Sequence, residues 1–188
     1  MSSNRTHLKM RLLRELVLWG LYSLDSRLED EHINPFDASS FEGDLWQGDV
    51  DLWRLYFGHV KPKERIQKLW AKDQIWSMRS DRMVEIISYR SSIDALISKC
   101  SHNWRIERMG SIDRNIIRMA CYELCFEDNI PARAILNEAI ELGKRYGSAD
   151  SARFINGLLD RIAQELGRVA RRTRQKPQVQ ISEIKRQR

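Results

Sequence analysis

The stretch Ile130–Asp160, IPARAILNEAIELGKRYGSADSARFINGLLD, decides the fold. Ile135, Leu136, Ala139, Ile140 and Leu142 recur at three- and four-residue spacing, the period of one buried helix face. Pro131 suits the first turn, where its missing N–H has no partner to lose. Gly147 is expected to end this helix as a left-handed cap, and Ser148 or Asp150 to cap the next. Phe154, Ile155, Leu158, Leu159 and Ile162 form the apolar side of that second helix. Upstream, Ser111 or Ile112 to Phe126 repeats the pattern through Ile112, Ile116, Met119, Ala120 and Leu124. Loops this short join antiparallel neighbours, so the region reads as a helical bundle.

Working outward, residues 81–102 read as a helix with Met83, Ile86, Ile87, Ile93, Leu96 and Ile97 on its apolar side. The segments 53–60 and 63–78 read as helices separated near Pro62. Residues 7–24 form an amphipathic helix with Leu12, Leu13, Leu16, Val17, Leu21 and Leu24 on a broad face, and with Arg11 and Arg14 opposite it. No alternating strand pattern or internal repeat stands out. With 9 glycines and 4 prolines in 188 residues, turns are too few for a sandwich of many short strands. The expected fold class is all-α, a helical bundle of two small subdomains.

The longest apolar run, Leu16–Leu24, is far short of the roughly 20 residues that span a bilayer. Glu15 abuts it and no small-x-small cleavage site follows, which argues against a secretory signal. Cys100, Cys121 and Cys125 are an odd number without a disulfide framework, so the expected compartment is the cytoplasm and no membrane is expected as partner. There is no glycine-rich phosphate loop, GxSxG, HExxH or CxxC. Cys121 and Cys125 with Cys100 and His102 could be drawn as a zinc site, but both helical cysteines border the apolar stripe, where a free thiol is a small hydrophobe. The four histidines have no nucleophile and orienting acid near them in sequence. We therefore expect no enzyme, no metal and no cofactor. Of the six tryptophans, Trp19, Trp53 and Trp104 read as helix-packing aromatics, while Trp70 and Trp76 in a Lys/Arg-rich segment are open to stacking or partner contact.

The net charge of +6 is unevenly placed. From Arg168 onward there are eight basic residues against Glu183, a charge of +7 that leaves residues 1–167 at −1. That end, 168–188, reads as a basic tail, disordered beyond about residue 172. Arg5, Lys9, Arg11 and Arg14 precede the first acid, and Asp25–Asp51 then carries nine acids against one arginine. A polyanion would approach the two basic ends.

The segments IDALI, NWRIERMGSIDRNIIRMACYEL and IPARAILNEAIELGKRYGSADSARFINGLLD, running almost continuously from Ile93 to Asp160, resemble the NusB family of transcription antitermination factors. Asn103-Trp104, Asp113-Arg114 with Arg118, Tyr122-Glu123, Asn137-Glu138-Ala139, Asp150-Ser151 and Phe154-Ile155-Asn156-Gly157 carry that resemblance, and LRELVLWGLY at Leu13–Tyr22 is similar to the family's first helix. The resemblance implies a NusB-like domain over 1–167. Its N-terminal subdomain covers about 1–80, with a middle enlarged by roughly twenty to thirty residues; its C-terminal subdomain covers about 81–167. It implies a factor that pairs with the NusE ribosomal protein, binds boxA-like single-stranded RNA and helps the RNA polymerase antitermination complex read through ribosomal RNA operons. It implies RNA contacts at Arg11 and Arg14, with Arg5 and Lys9 upstream, and at Asp113, Asp150 and Phe154. Tyr122, Glu123, Asn137, Glu138, Asn156 and Gly157 are assigned to structure, Gly157 permitting close helix approach. The basic cluster on the first helix is interrupted by Met10, Leu12 and Leu13. This thinning favours an alternative: a helical protein-interaction module, or a homodimer, with weakened RNA recognition. RNA cytosine methyltransferases carry a similar domain, but this chain lacks the length and nucleotide motif of their catalytic half.

Overall fold

The structure is a computed structural model and describes residues 2–30, 73–101 and 104–168. Among the described residues there are six α-helices and one 3₁₀ turn, and no strand. The chain divides into two compact units, Met1–Ile87 and Ser88–Arg188. The segments 53–60 and 63–72, with Trp53 and Trp70, lie outside the described residues, as does the tail from residue 169.

In the first unit, α1 spans Ser2–Asp30 and α2 spans Asp73–Ser88. From Leu12 to Leu21 every residue of α1 is buried, so this helix has no solvent face in that window. The leucine-rich sequence explains the apolar part; Arg14 and Glu15 are enclosed with it. Trp19 is buried, a packing aromatic as expected. A Cβ on Gly20 would sit on the Met83 thioether and the Arg79 guanidinium, so these two side chains of α2 lie directly on the α1 backbone. Arg79 Nε donates to the Leu16 carbonyl at 3.1 Å and pins that crossing.

The second unit contains α3 (Arg90–Ser101), a 3₁₀ turn (Ile106–Arg108), α4 (Ser111–Phe126), α5 (Ala132–Tyr146) and α6 (Ser151–Glu165). The helix expected over 81–102 is thus two helices, broken at Tyr89. Serines 88, 91 and 92 flank the break; serine lowers helix preference without disturbing the apolar period that hid it. α4 is the central element, packed against α3, α5 and α6. Its residues from Asn115 to Cys125 are all buried. The three cysteines are buried free thiols, and burial pushes the Cys100 and Cys121 thiols above their ordinary range.

The buried arginine of this unit is paired. Arg118 grips Asp94 with two bonds of 2.8 Å and donates to Asn115 Oδ1 at 3.2 Å. Close helix approach occurs at Gly143, where a Cβ would lie 2.6 Å from Ile155 Cδ1. It does not occur at Gly157, which is exposed with open space around its α-carbon. α6 ends at Gly167 with φ 69°, while Gly167 N–H and Arg168 N–H return to Gln164 and Ala163 carbonyls. Arg168 belongs to this folded unit and not to a free tail. Its guanidinium donates to Asp128 Oδ1 at 2.8 Å and to the Glu127 and Ile130 carbonyls, closing the α4–α5 loop.

Candidate nucleic-acid interface

The best-defined candidate surface lies in the second unit, where α6 begins. The corner between α5 and α6 does not use the expected caps. Gly147 is extended at φ −88° and not left-handed. Its lack of a side chain is instead a matter of room: a Cβ would overlap the Ser151 side chain and crowd the Gly143 carbonyl at 2.8 Å. Asp150 occupies the N-cap position but makes no capping bond. Its carboxylate pairs with Arg153 in an exposed ion pair, a contact contributing about 0–1 kcal/mol. The corner is held by Ser151, whose hydroxyl accepts the Ser148 N–H at 2.8 Å and lies 3.1 Å from the Ser148 hydroxyl.

Asp113, in the first turn of α4, is half-buried and faces Ser151 of α6. Burial holds the Asp113 carboxyl above its ordinary range, and the Ser151 hydroxyl opposes that shift. Asp113 Oδ1 is buried and accepts no hydrogen bond.

One turn along α6, Phe154 is half-buried and not part of the core. Its ring lies 5.8 Å from the Trp104 ring, tilted by 60°. Trp104 is 56% exposed, so it is not the packing aromatic the sequence suggested. The sequence held no local signal for this, because the ring's neighbour comes from a helix late in the chain. Beyond Phe154, Gly157 leaves the α6 surface bare, and Arg161 Nε reaches back to its carbonyl at 3.2 Å.

The basic start of α1 belongs to the first unit. Lys9 and Arg11 are half-buried. Arg14 is 6% exposed, so it does not share a solvent edge with Arg11 as the helical wheel implied. The reason is that α1 is enclosed on all sides there, whereas the wheel assumed one open face. The Arg5 side chain lies outside the described residues.

A profile of the NusB family matches residues 56–164, more than half of the chain. The chain belongs to the NusB family. It is 37% identical over 125 residues to the transcription antitermination protein NusB of Myxococcus xanthus, an overlap covering 62% of this chain and 89% of that protein. Over 81 residues it is 52% identical to the Sorangium cellulosum protein of that name, covering 43% of this chain and 58% of that one. Its structure matches T. maritima NusB with TM-score 0.60 at 33% identity, over 82% of this chain and 90% of that one. It also shares its fold, at TM-score 0.56 and 20% identity, with a solved assembly of antitermination factors NusB and NusE in complex with double-stranded RNA. The profile spans every element of the second unit up to Gln164, so Trp104, Asp113, Ser151 and Phe154 all lie on the NusB-matching part of the chain. No helix among the described residues is long and apolar enough to cross a membrane.

Proposed function

We propose that this NusB-family chain is an RNA-binding transcription antitermination factor. With the NusE ribosomal protein it recognises boxA-like single-stranded RNA and promotes read-through of ribosomal RNA operons by the antitermination complex of RNA polymerase. It acts in the cytoplasm and by binding alone, with no bond made or broken. The observation that carries this reading is the NusB-family match across residues 56–164, on which the half-buried Asp113 and Phe154 both lie. Unpaired RNA offers what these groups lack: base amino groups and 2′-hydroxyls as donors, and π-faces for a ring. Lys9 and Arg11, with Arg5 upstream, supply phosphate contacts. Asp150 supplies a second acceptor once its exposed pair with Arg153 opens.

The test is titration of a boxA-like oligonucleotide with and without NusE at two salt concentrations. Phe154→Ala is expected to weaken binding by about 1–3 kcal/mol. Arg11→Ala is expected to flatten the salt slope by about 0.7. Absence of RNA binding in both settings refutes the reading, as does binding that neither substitution changes. Burial of Arg14 thins the cationic edge further and supports the second reading, a protein-interaction module of the same fold. Recovery of a protein partner after nuclease treatment, with no RNA crosslinked to the chain, is the result that reading requires.

A further inference from the structure

Trp104 has an unusual setting for a large aromatic residue. More than half of it is open to solvent, yet it is fixed from two directions. Its backbone N–H donates to the Ser101 carbonyl at 3.2 Å, and the Ser101 hydroxyl, also near the Ser98 carbonyl, donates to the Trp104 carbonyl at 2.6 Å. Both backbone groups of Trp104 are therefore used, and the residue cannot pair with an extended strand. Its ring rests against Phe154 at a tilted-ring separation that is itself attractive. What remains available is a preorganised indole surface, adjoining Phe154.

The surroundings of the ring suit a polyanion with flat bases better than an apolar protein side chain. Arg105, Arg108 and Arg114 lie within the next ten residues, against Glu107 and Asp113. Arg105 is engaged by Glu107 in an exposed pair at 3.3 Å, readily exchanged for a phosphate. The Glu107 carboxyl lies below its ordinary range through its own backbone N–H first, with Arg105 and Arg114 adding to it.

We propose that Trp104 is a base-stacking residue that takes an unpaired nucleobase of the RNA on its exposed indole surface and leads the strand from α6 onto the arginine-bearing segment 105–114. This rests on the RNA-binding reading above and extends it to a residue for which the sequence suggested only packing. Stacking on an aromatic ring is a non-ionic contribution, so its signature differs from that of a phosphate contact.

The full chain, its Trp104→Ala and Trp104→Phe variants, and boxA-like oligonucleotides carrying single 5-iodouridines form the experiment. Trp104→Ala is expected to weaken RNA binding roughly 5- to 100-fold with an unchanged salt slope. Trp104→Phe is expected to recover most of the loss, and one iodouridine position to crosslink to Trp104 itself. Thermal melts of the two variants should match the parent, since the ring is largely exposed. A parent chain that binds RNA, with Trp104→Ala binding equally well and crosslinks mapping elsewhere, overturns the stacking role and leaves the RNA reading intact. A parent that binds no RNA overturns both. Loss of NusE capture by Trp104→Ala at unchanged RNA affinity reassigns the indole to a protein contact and also overturns it.

Discussion

Replacing Asp94 by Ala tests the internal polar framework of the second unit. The Arg118 side chain is 5% exposed and that of Asp94 23%. They share two bonds of 2.8 Å, and Arg90 stands 3.8 Å from the same carboxylate. Two unit charges about 4 Å apart interact by about 4 kcal/mol at an effective dielectric constant near 20. Breaking a fully buried pair typically costs 3–5 kcal/mol, because the remaining charge loses its counter-charge. The partial exposure of Asp94 moves the expectation to the lower end, about 3 kcal/mol. At roughly 2–4 °C per kcal/mol for a chain of this size, the melting temperature should fall by about 6–12 °C. Arg118→Met should cost less than Asp94→Ala, since the charge it leaves is the more exposed one and keeps Arg90 beside it. The double variant should be less destabilised than the two losses added together. Urea unfolding followed by circular dichroism supplies all three values. Asp94→Ala within 1 kcal/mol of the parent, or strict additivity, would refute the claim that this pair carries the α3–α4 junction.

Gly147→Ala should destabilise by about 1–3 kcal/mol in the same assay, because its Cβ would overlap the Ser151 side chain; a neutral result would show that the corner can yield. Gly157→Ala should stabilise by roughly 0.5–1 kcal/mol, since its site on α6 is open, and an unchanged or lower melting temperature would contradict that. Asp113→Asn should stabilise in a pH-dependent way. Burial raises the carboxyl in the folded state, so the parent's stability contribution is complete below the ordinary carboxylate range and is lost as pH rises through the folded value. The advantage of Asn should therefore grow from about pH 4 towards neutrality; a gain that is flat with pH would exclude the desolvated carboxyl as its source.

Periodicity carried the sequence reading furthest where helices are long and their ends carry a helix breaker. α4 begins and ends at residues the pattern marked, and α5 stops just before Gly147. It failed where apolar phase continues across a break, as at Tyr89, and where a helix is enclosed on all sides, as around Arg14. A helical wheel reports angle but not enclosure, so Arg14 reads as solvated when the tertiary environment buries it. Arg168 illustrates the converse. It belongs by composition to a basic tail, yet loop carbonyls of the α4–α5 connection claim its guanidinium. Within the candidate site, Asp113, Asp150 and Phe154 are expectations that the resemblance implies. Trp104 is not, because its exposure depends on which partner approaches its ring.

The glycine at 147 and the candidate surface are parts of one physical arrangement. Without a Cβ at Gly147, Ser151 can move in under the end of α5 and accept the Ser148 N–H. Those bonds hold the corner from which α6 leaves. Phe154 follows on the next turn and meets Trp104, whose backbone is independently clamped by Ser101. A side chain at 147 would therefore act on the aromatic pair through Ser151 without touching either ring. The expected consequence is a loss of RNA affinity in Gly147→Ala larger than its loss of stability can explain, measured under conditions where the variant remains folded.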